Sequence, residues 1–270
     1  MQNFPKTEPL SGNPDLSGHV WVQELVTGEP LRFRVAESGF VEFGTRNDTF
    51  GSDVPLRFRR GARCVRESID RSALRGSVGN TESVTFFGTA TVYKGLEYDW
   101  SDLPAFLGVD VWSDEKDAYL TPDAASSAYE SLGLVPLPAF EKETDVGRAD
   151  LETYVSGDLP RSRFREAPAA GVLVRDKSGG RGEVRRDVPE KDGERKPPEE
   201  VVSRYVTEDR VQNASNEVEA SENEQFEEVL EKLTEEMVRE SYVDLYNGDD
   251  PVVPEREIRS AVADHVQRYV

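Results

Sequence analysis

The chain is expected to fold as an α+β protein dominated by antiparallel strands, followed by a small helical domain. Three observations lead there. Six segments with strand-like alternation occupy the first 190 or so residues, two helical patterns are inserted among them, and apolar residues at helical spacing take over from about residue 198.

The elements follow in order. WVQELV (21–26) passes through a Thr-Gly turn into LRFRVAE (31–37), and GFVEFGTRN (39–47) adds a further strand. GARCVRESIDRSALRGSV (61–78) predicts a helix. SVTFFGTATV (83–92) and FLGVDVW (106–112) return to strand patterning. TPDAASSAYESLGL (121–134) predicts a second helix, with Thr121 as N-cap, Pro122 in the first turn and Gly133 near its end. AGVLVRD (170–176) is the last clear strand. The stretch DKSGGRGEVRRDVPEKDGERKPPEE (176–200) is polar and rich in Gly and Pro, as expected of a turn followed by a linker. Three helical segments then follow, in which Phe226, Val229, Leu230, Leu233 and Met237 share one face. The expected division is a domain over 1–190 and a linker with a helical domain over 191–270.

Charge narrows the class. Lys plus Arg total 33 against 53 Asp plus Glu, a net charge of -20, and only eight of the basic residues are lysine. An excess of carboxylates with scarce lysine suits a halophilic protein kept soluble in concentrated salt, where repulsion is screened. Low hydrophobicity and high charge also mark disorder, but regular apolar strands and three tryptophans argue for a folded chain. Cys64 stands alone, and the two histidines, His19 and His265, are far apart, so neither a cysteine metal cluster nor a Ser-His-Asp triad is expected. No apolar run approaches the roughly 18 residues of a membrane span, and MQNFPKTEPL lacks a signal peptide's apolar core. A cytoplasmic protein with no membrane partner is the expectation.

Several segments in this order resemble one family. FPKTEPLSG (4–12), the Trp21 and Glu24 pair, FRVAESGFVEFGTRN (33–47), VTFFGTATVYKGLEYDWSDLPAFLGVDVW (84–112), AAGVLVRDKSGGRGEV (169–184) and a tail containing YVTEDRV and VLEKLTEEMVRE are similar to the RNA ligases of the phage RNA ligase 2 type and their haloarchaeal relatives. The resemblance covers nearly the whole chain. It implies an ATP-grasp-like nucleotidyltransferase domain, in which a lysine attacks the α-phosphate of ATP while carboxylates hold divalent metal.

The chemistry-bearing positions depart from that pattern. Where the family has Glu-Lys-x-Asp-Gly-x-Asn, this chain reads Glu24, Leu25, Val26, Thr27, Gly28, Glu29, Pro30. The carboxylate of the Phe-Gly-Glu strand is matched by Thr89, that of Glu-Gly-Val by Ala170, and the lysine of Arg-Ala-Lys by Glu183. Leucine has no lone pair, Thr89 and Ala170 remove two anions that would hold a cation, and Glu183 would repel a phosphate. No catalytic residue and no metal ligand is therefore assigned, and no cofactor is expected. ATP and Mg2+ enter only if an active ligase survives on an unconventional nucleophile.

Binding remains open. Glu24, Gly28, Arg32, Arg46, Gly88, Phe106, Gly171 and Arg175 are the candidates for a nucleotide or RNA groove, with Arg32, Arg34, Arg57, Arg59 and Arg60 forming a local basic cluster. The plainer alternative pairs those arginines with carboxylates on a solvated face. Phe106 and Trp112 are placed either to stack a base or to fill the core. The tail residues Tyr242, Leu245, Tyr246, Ile258, Val262, Val266 and Tyr269 would pack on their own chain or meet a partner's helices. Three functions follow: an inactive ligase homologue binding RNA ends or a partner in RNA repair or processing, an active ATP-dependent RNA ligase, or a protein-binding scaffold beside an active ligase or another protein.

Overall fold

The computed structural model describes residues 1–188, 197–218 and 222–269. The described chain divides into two compact units, the first made of 1–54, 61–91 and 96–188, the second of 55–60, 92–95 and the region from 189 onward.

In chain order the strands of the first unit are β1 (Glu8–Pro9), β2 (His19–Leu25), β3 (Gly28–Val35), β4 (Val41–Gly44), β5 (Thr49–Phe50), β6 (Val84–Thr91), β7 (Phe106–Ser113), β8 (Ala118–Tyr119), β9 (Ala139–Asp145), β10 (Gly171–Asp176) and β11 (Arg181–Arg185). They form two sheets, ordered β1-β11-β10-β2-β9 and β5-β4-β3-β6-β7-β8, with every pairing antiparallel except β1 to β11. The chain passes from one sheet to the other at the Val26–Thr27 step between β2 and β3. An antiparallel two-sheet arrangement is what alternating segments joined by short turns produce.

All six strands expected from alternation are present, with ends moved by a residue or more. β9 was not legible. Its sequence, AFEKETD, is half exposed, its register against β2 is broken twice, and Glu143 lies at φ 54, so no clean period of two survives. The helix expected over 61–78 is two helices, α1 (Leu56–Ser68) and α2 (Arg71–Ser77). Asp70 makes the break, because its side chain accepts the amides of Ser72 (2.9 Å) and Ala73 (2.8 Å) and so caps a new helix. The second expected helix, α3 (Pro122–Ser131), has Thr121 at its N-cap and Pro122 in its first turn, though Thr121 makes no side-chain capping bond. Gly133 follows it at φ 75, a left-handed turn that glycine enters without strain. A single turn of helix, α4 (Leu151–Val155), precedes β10.

The core of the second sheet is aromatic. Phe33 stacks on Phe86 (centroids 4.8 Å apart), and Phe106 meets Phe33 edge-on at 5.7 Å. Tyr129 of α3 is fully buried, with its hydroxyl 2.7 Å from the Phe87 carbonyl and 2.9 Å from that of Asp110.

The second unit contains α5 (Pro198–Tyr205), α6 (Glu208–Glu217), α7 (Glu222–Glu240), α8 (Tyr242–Leu245), the two-residue strands β12 (Tyr246–Asn247) and β13 (Asp250–Pro251), and α9 (Glu255–Val266). It draws on two earlier segments. Leu56 and Val92 join its core, and the Tyr93 amide donates to the Arg239 carbonyl at 2.8 Å. Tyr242, Leu245, Tyr246, Ile258, Val262 and Val266 are all buried in that core, so of the tail residues considered above only Tyr269 is exposed. Of the stretch expected as turn and linker, Arg181–Arg185 is β11, while 189–196 lie outside the described residues, as does the boundary expected at 190/191. Among the described residues no helix is long and apolar enough to cross a membrane.

Candidate functional site

Alternation along the first sheet defines the site. Leu25 pairs with Gly171, Gln23 with Leu173, and Leu173 with Glu183. Directly paired residues in antiparallel strands share a face, so Trp21, Gln23 and Leu25 lie on the same side as Gly171, Leu173 and Arg175, and as Arg181 and Glu183. The opposite side carries Val20, Val22, Val172 and Val174, which pack with Leu10, Tyr154 and Leu159 in a separate apolar core.

The face carrying Leu25 is apolar at one end and polar at the other. At the apolar end Leu25, Val26, Tyr98, Leu107, Phe164, Ala170 and Leu173 form one buried cluster. Leu107 reaches it from the second sheet, where it pairs with Thr89. Leu25 is 5 % exposed and Ala170 4 %. The Tyr98 hydroxyl accepts the Thr27 amide at 3.1 Å, which fixes the turn between β2 and β3, and burial raises the Tyr98 pKa above its ordinary value. Thr89 is half-buried in β6, and Glu183 on β11 is engaged by Arg185 at 3.2 and 3.3 Å. Described lysines with defined contacts are committed elsewhere: Lys6 to Glu8, Lys94 over the Tyr242 ring, Lys142 over Trp21, Lys177 to Glu143 and Lys232 to Glu217.

Glu24 makes a structural contact at the end of β2. It is fully buried, and its two oxygens accept from the Ser162 hydroxyl (2.5 Å) and the Arg163 amide (3.0 Å). Burial raises its pKa and outweighs the two hydrogen bonds, which pull the other way. The residue ties the end of β2 to the segment before β10.

The polar end holds a network invisible in the sequence reading. Asp110 of β7 is clasped by Arg175 of β10 and by Arg181 of β11 (2.7 Å), while Gln23 accepts from Arg175 Nε (2.9 Å) and Nη2 (2.6 Å) and donates to the Leu137 carbonyl (3.3 Å). Burial alone would raise the Asp110 carboxyl, but Arg175 and Arg181 overcome it and hold the group below the usual carboxylate range. A buried charge needs such partners. The only sequence signal for Asp110 was an acid inside the apolar run FLGVDVW.

The remaining candidates are structural in their contacts. A methyl on Gly28 would lie 2.3 Å from the Thr89 side chain, on Gly88 2.3 Å from the Phe106 ring, and on Gly171 2.3 Å from the Val184 carbonyl, so each marks a close approach of strands. Phe106 is 1 % exposed and packed among Phe33 and Tyr129, a core position and not a stacking platform. Trp112 packs edge-on against Tyr119. Arg46 is exposed, 5.0 Å above the Phe4 ring. Arg32 is buried and donates to the Gln2 carbonyl at 2.5 Å; burial lowers its pKa. The five arginines proposed as one basic cluster fall in both units: Arg34 pairs with Glu42, while in the second unit Arg57 pairs with Asp249 and Arg60 with Glu236. Arg59 lines a cleft of about 290 Å³ there, together with Glu231, Glu235 and Glu255. Among the described residues no three His, Cys, Asp or Glu side chains gather as a metal site would require.

Comparison with solved structures bears on the fold. A mutant RNA ligase of Naegleria gruberi with AMP and Mn superimposes with a TM-score of 0.51 at 13% identity, over 68% of this chain and 56% of that one. The fold is that of an RNA ligase nucleotidyltransferase. The same Naegleria ligase with PPi gives 0.50 at 12% identity over the same shares. An archaeal ATP-dependent RNA ligase aligns over 100% of this chain and 63% of its own, with a TM-score of 0.49 at 14% identity. This chain thus spans less than two thirds of the length of each of these RNA ligases. No protein-family model and no curated protein matches it.

Proposed function

We propose that the chain is a non-catalytic RNA ligase homologue that binds RNA ends, acting in RNA repair or processing alone or beside an active ligase. The observation that carries this is the burial of Leu25 and Ala170 in one apolar cluster with Tyr98, Leu107, Phe164 and Leu173. In a lysine-dependent nucleotidyltransferase, an amine would stand at the first position and a carboxylate at the second, facing a polar, nucleotide-sized space. Here side chains that can neither attack phosphorus nor hold a cation pack against each other. Thr89 and Glu183, at the other two family positions, supply no metal ligand pair and no phosphate-binding cation. The residues do not fit a magnesium–ATP complex, and no step through one is derived.

The rest of the frame is kept. Glu24, Gln23, Arg175 and Asp110 are all committed to hydrogen bonds that hold the sheets and the neighbouring loop, which suits a protein retained for its surface. The test is incubation of the full chain with α-labelled ATP and divalent metal, followed by denaturing electrophoresis. No labelled band is expected. An acid-labile adduct would establish the ATP-dependent ligase reading instead.

A further inference from the structure

We infer that the loop 160–168 is the phosphate-contacting surface of this chain and that single-stranded RNA is what it grips through Arg161 and Arg163. This deepens the proposed RNA-binding role and rests on it.

The loop is a closed, anchored object. An Arg161–Pro168 bridge shuts it, and the Ser162 and Ala169 amides donate to the carbonyls of Ala167 (3.0 Å) and Pro160 (2.8 Å). Alternate residues turn inward: the Ser162 hydroxyl donates to buried Glu24, and Phe164 enters the apolar cluster beside Leu25. That leaves Arg161 and Arg163 outside, both exposed. Arg165 is half-buried behind them, 5.8 Å over the Tyr98 ring, with its Nε and Nη1 buried.

Spacing singles the loop out. Arg34, Arg57, Arg60 and Arg185 each meet a carboxylate, and Arg46 lies over the Phe4 ring away from one, but Arg161 and Arg163 sit two positions apart on one exposed loop. None of Arg161, Arg163 and Arg165 takes an ion-pair partner among the described residues. Three acids lie close by. Glu166 is exposed in the same loop, Asp99, whose amide bonds the Phe164 carbonyl at 2.9 Å, accepts the Ser101 hydroxyl at 2.5 Å, and buried Glu24 takes the Ser162 hydroxyl and the Arg163 amide while feeling the charges of Arg163 and Arg165. The exposed guanidinium groups of Arg161 and Arg163, two positions apart, remain for an external anion, and a guanidinium fits phosphate bidentately.

The surface favours a nucleic acid over a protein. Protein partners draw most of their affinity from desolvated aromatic or apolar anchors. Here the one aromatic of the loop, Phe164, is turned into the core. A polyphosphate backbone needs only the cations, and its affinity then falls with salt by a slope of about -0.7 per phosphate contact on a single strand.

The experiment is fluorescence anisotropy of a labelled single-stranded RNA against the full chain, titrated with KCl. Wild type, the Arg161→Gln/Arg163→Gln double variant and a control with the exposed Arg148→Gln/Arg268→Gln pair are compared. Both loop substitutions are on exposed side chains, so an unchanged melting temperature verifies the fold. The loop variant is expected to lose at least about tenfold in affinity and about 1.4 from the salt slope, with the control within about twofold of wild type. If wild type and loop variant bind RNA alike, the loop assignment is overturned while the RNA reading stands. If wild type binds no RNA even at the lowest salt, both fall. Tighter binding of wild type to a polyglutamate peptide of equal charge would likewise overturn the assignment, in favour of an acidic protein partner.

Discussion

Replacing Leu25 by lysine would place an amine where the proposed reading has none, in a buried apolar setting. The side chain is 5 % exposed and surrounded by Tyr98, Leu107, Phe164, Ala170 and Leu173. An amine held there is desolvated with no carboxylate in the cluster, so its pKa must fall. A drop of only two units costs about 2.7 kcal/mol. The lost leucine packing adds roughly 1 kcal/mol, since the lysine stem recovers part of it. The Leu25→Lys variant should therefore be about 3–4 kcal/mol less stable at pH 7, or roughly 6–16 °C lower in Tm for a unit of this size. The sign with pH follows from linkage. A base whose folded pKa is depressed binds fewer protons folded than unfolded, so the deficit should shrink as pH rises from 7 toward the ordinary lysine value of about 10.4. Leu25→Met, which keeps volume and polarity, should cost less than about 1.5 kcal/mol. Calorimetric melting across that pH range is the assay, alongside the labelled-ATP test, in which the lysine variant should form no adduct. A lysine variant melting within about 2 °C of wild type at every pH would refute the argument, because the position would then be open to solvent.

Other perturbations address the frame. Asp110→Asn leaves Arg175 and Arg181 without their counter-charge and should cost about 3–5 kcal/mol by denaturant titration. Because that carboxyl is held low, its contribution is present above the ordinary carboxylate range and lost as pH falls through its depressed pKa, so the variant should show a weaker acid limb. Glu24 has the opposite sign: its raised pKa favours the fold at low pH, and wild type should lose stability relative to Glu24→Gln as pH rises through the weakly acidic range. Gly88→Ala drives a methyl against the Phe106 ring and should destabilise by about 1–3 kcal/mol, visible as a lowered Tm. If the acidic composition is an adaptation to salt, Tm should rise between 0.1 M and 1 M KCl as the Debye length falls from about 10 to about 3 Å; a flat or falling Tm would count against it.

Much of the fold could be read from the sequence because strand alternation and turn residues are local signals. The β2 to β3 entry, the Phe-rich β6 and β7, and α3 with Thr121, Pro122 and Gly133 all declare themselves within a dozen residues. What escaped was decided by partners outside the segment or by the role one side chain takes. β9 is an edge strand with a broken register, and the break between α1 and α2 depends on Asp70 using its carboxylate as a cap instead of as a surface charge. The site was legible in its positions and not in its contacts. Leu25 and Ala170 stood out in the sequence by the resemblance alone, but that they pack together with Phe164 requires the fold. Arg161 and Arg163 sit in plain view in RSRFRE, yet only burial separates them from the arginines neutralised by nearby acids. Conversely, Arg32 and Phe106 had the right chemistry for a ligand and turned out to be buried in their own unit.

The two hydrogen bonds of Glu24 join residues 138 and 139 positions apart, and they do so at the last residue before Leu25. The loop and the strand end therefore move as one lever. A force that displaces the Ser162–Arg163 segment outward must pull Glu24 from its burial and drag Phe164 from its packing, while a ligand that holds the loop still damps the strand behind it. The interior of this protein can thus register what happens at its exterior, and amide exchange at Leu25 and Thr27 is where that transmission would be heard.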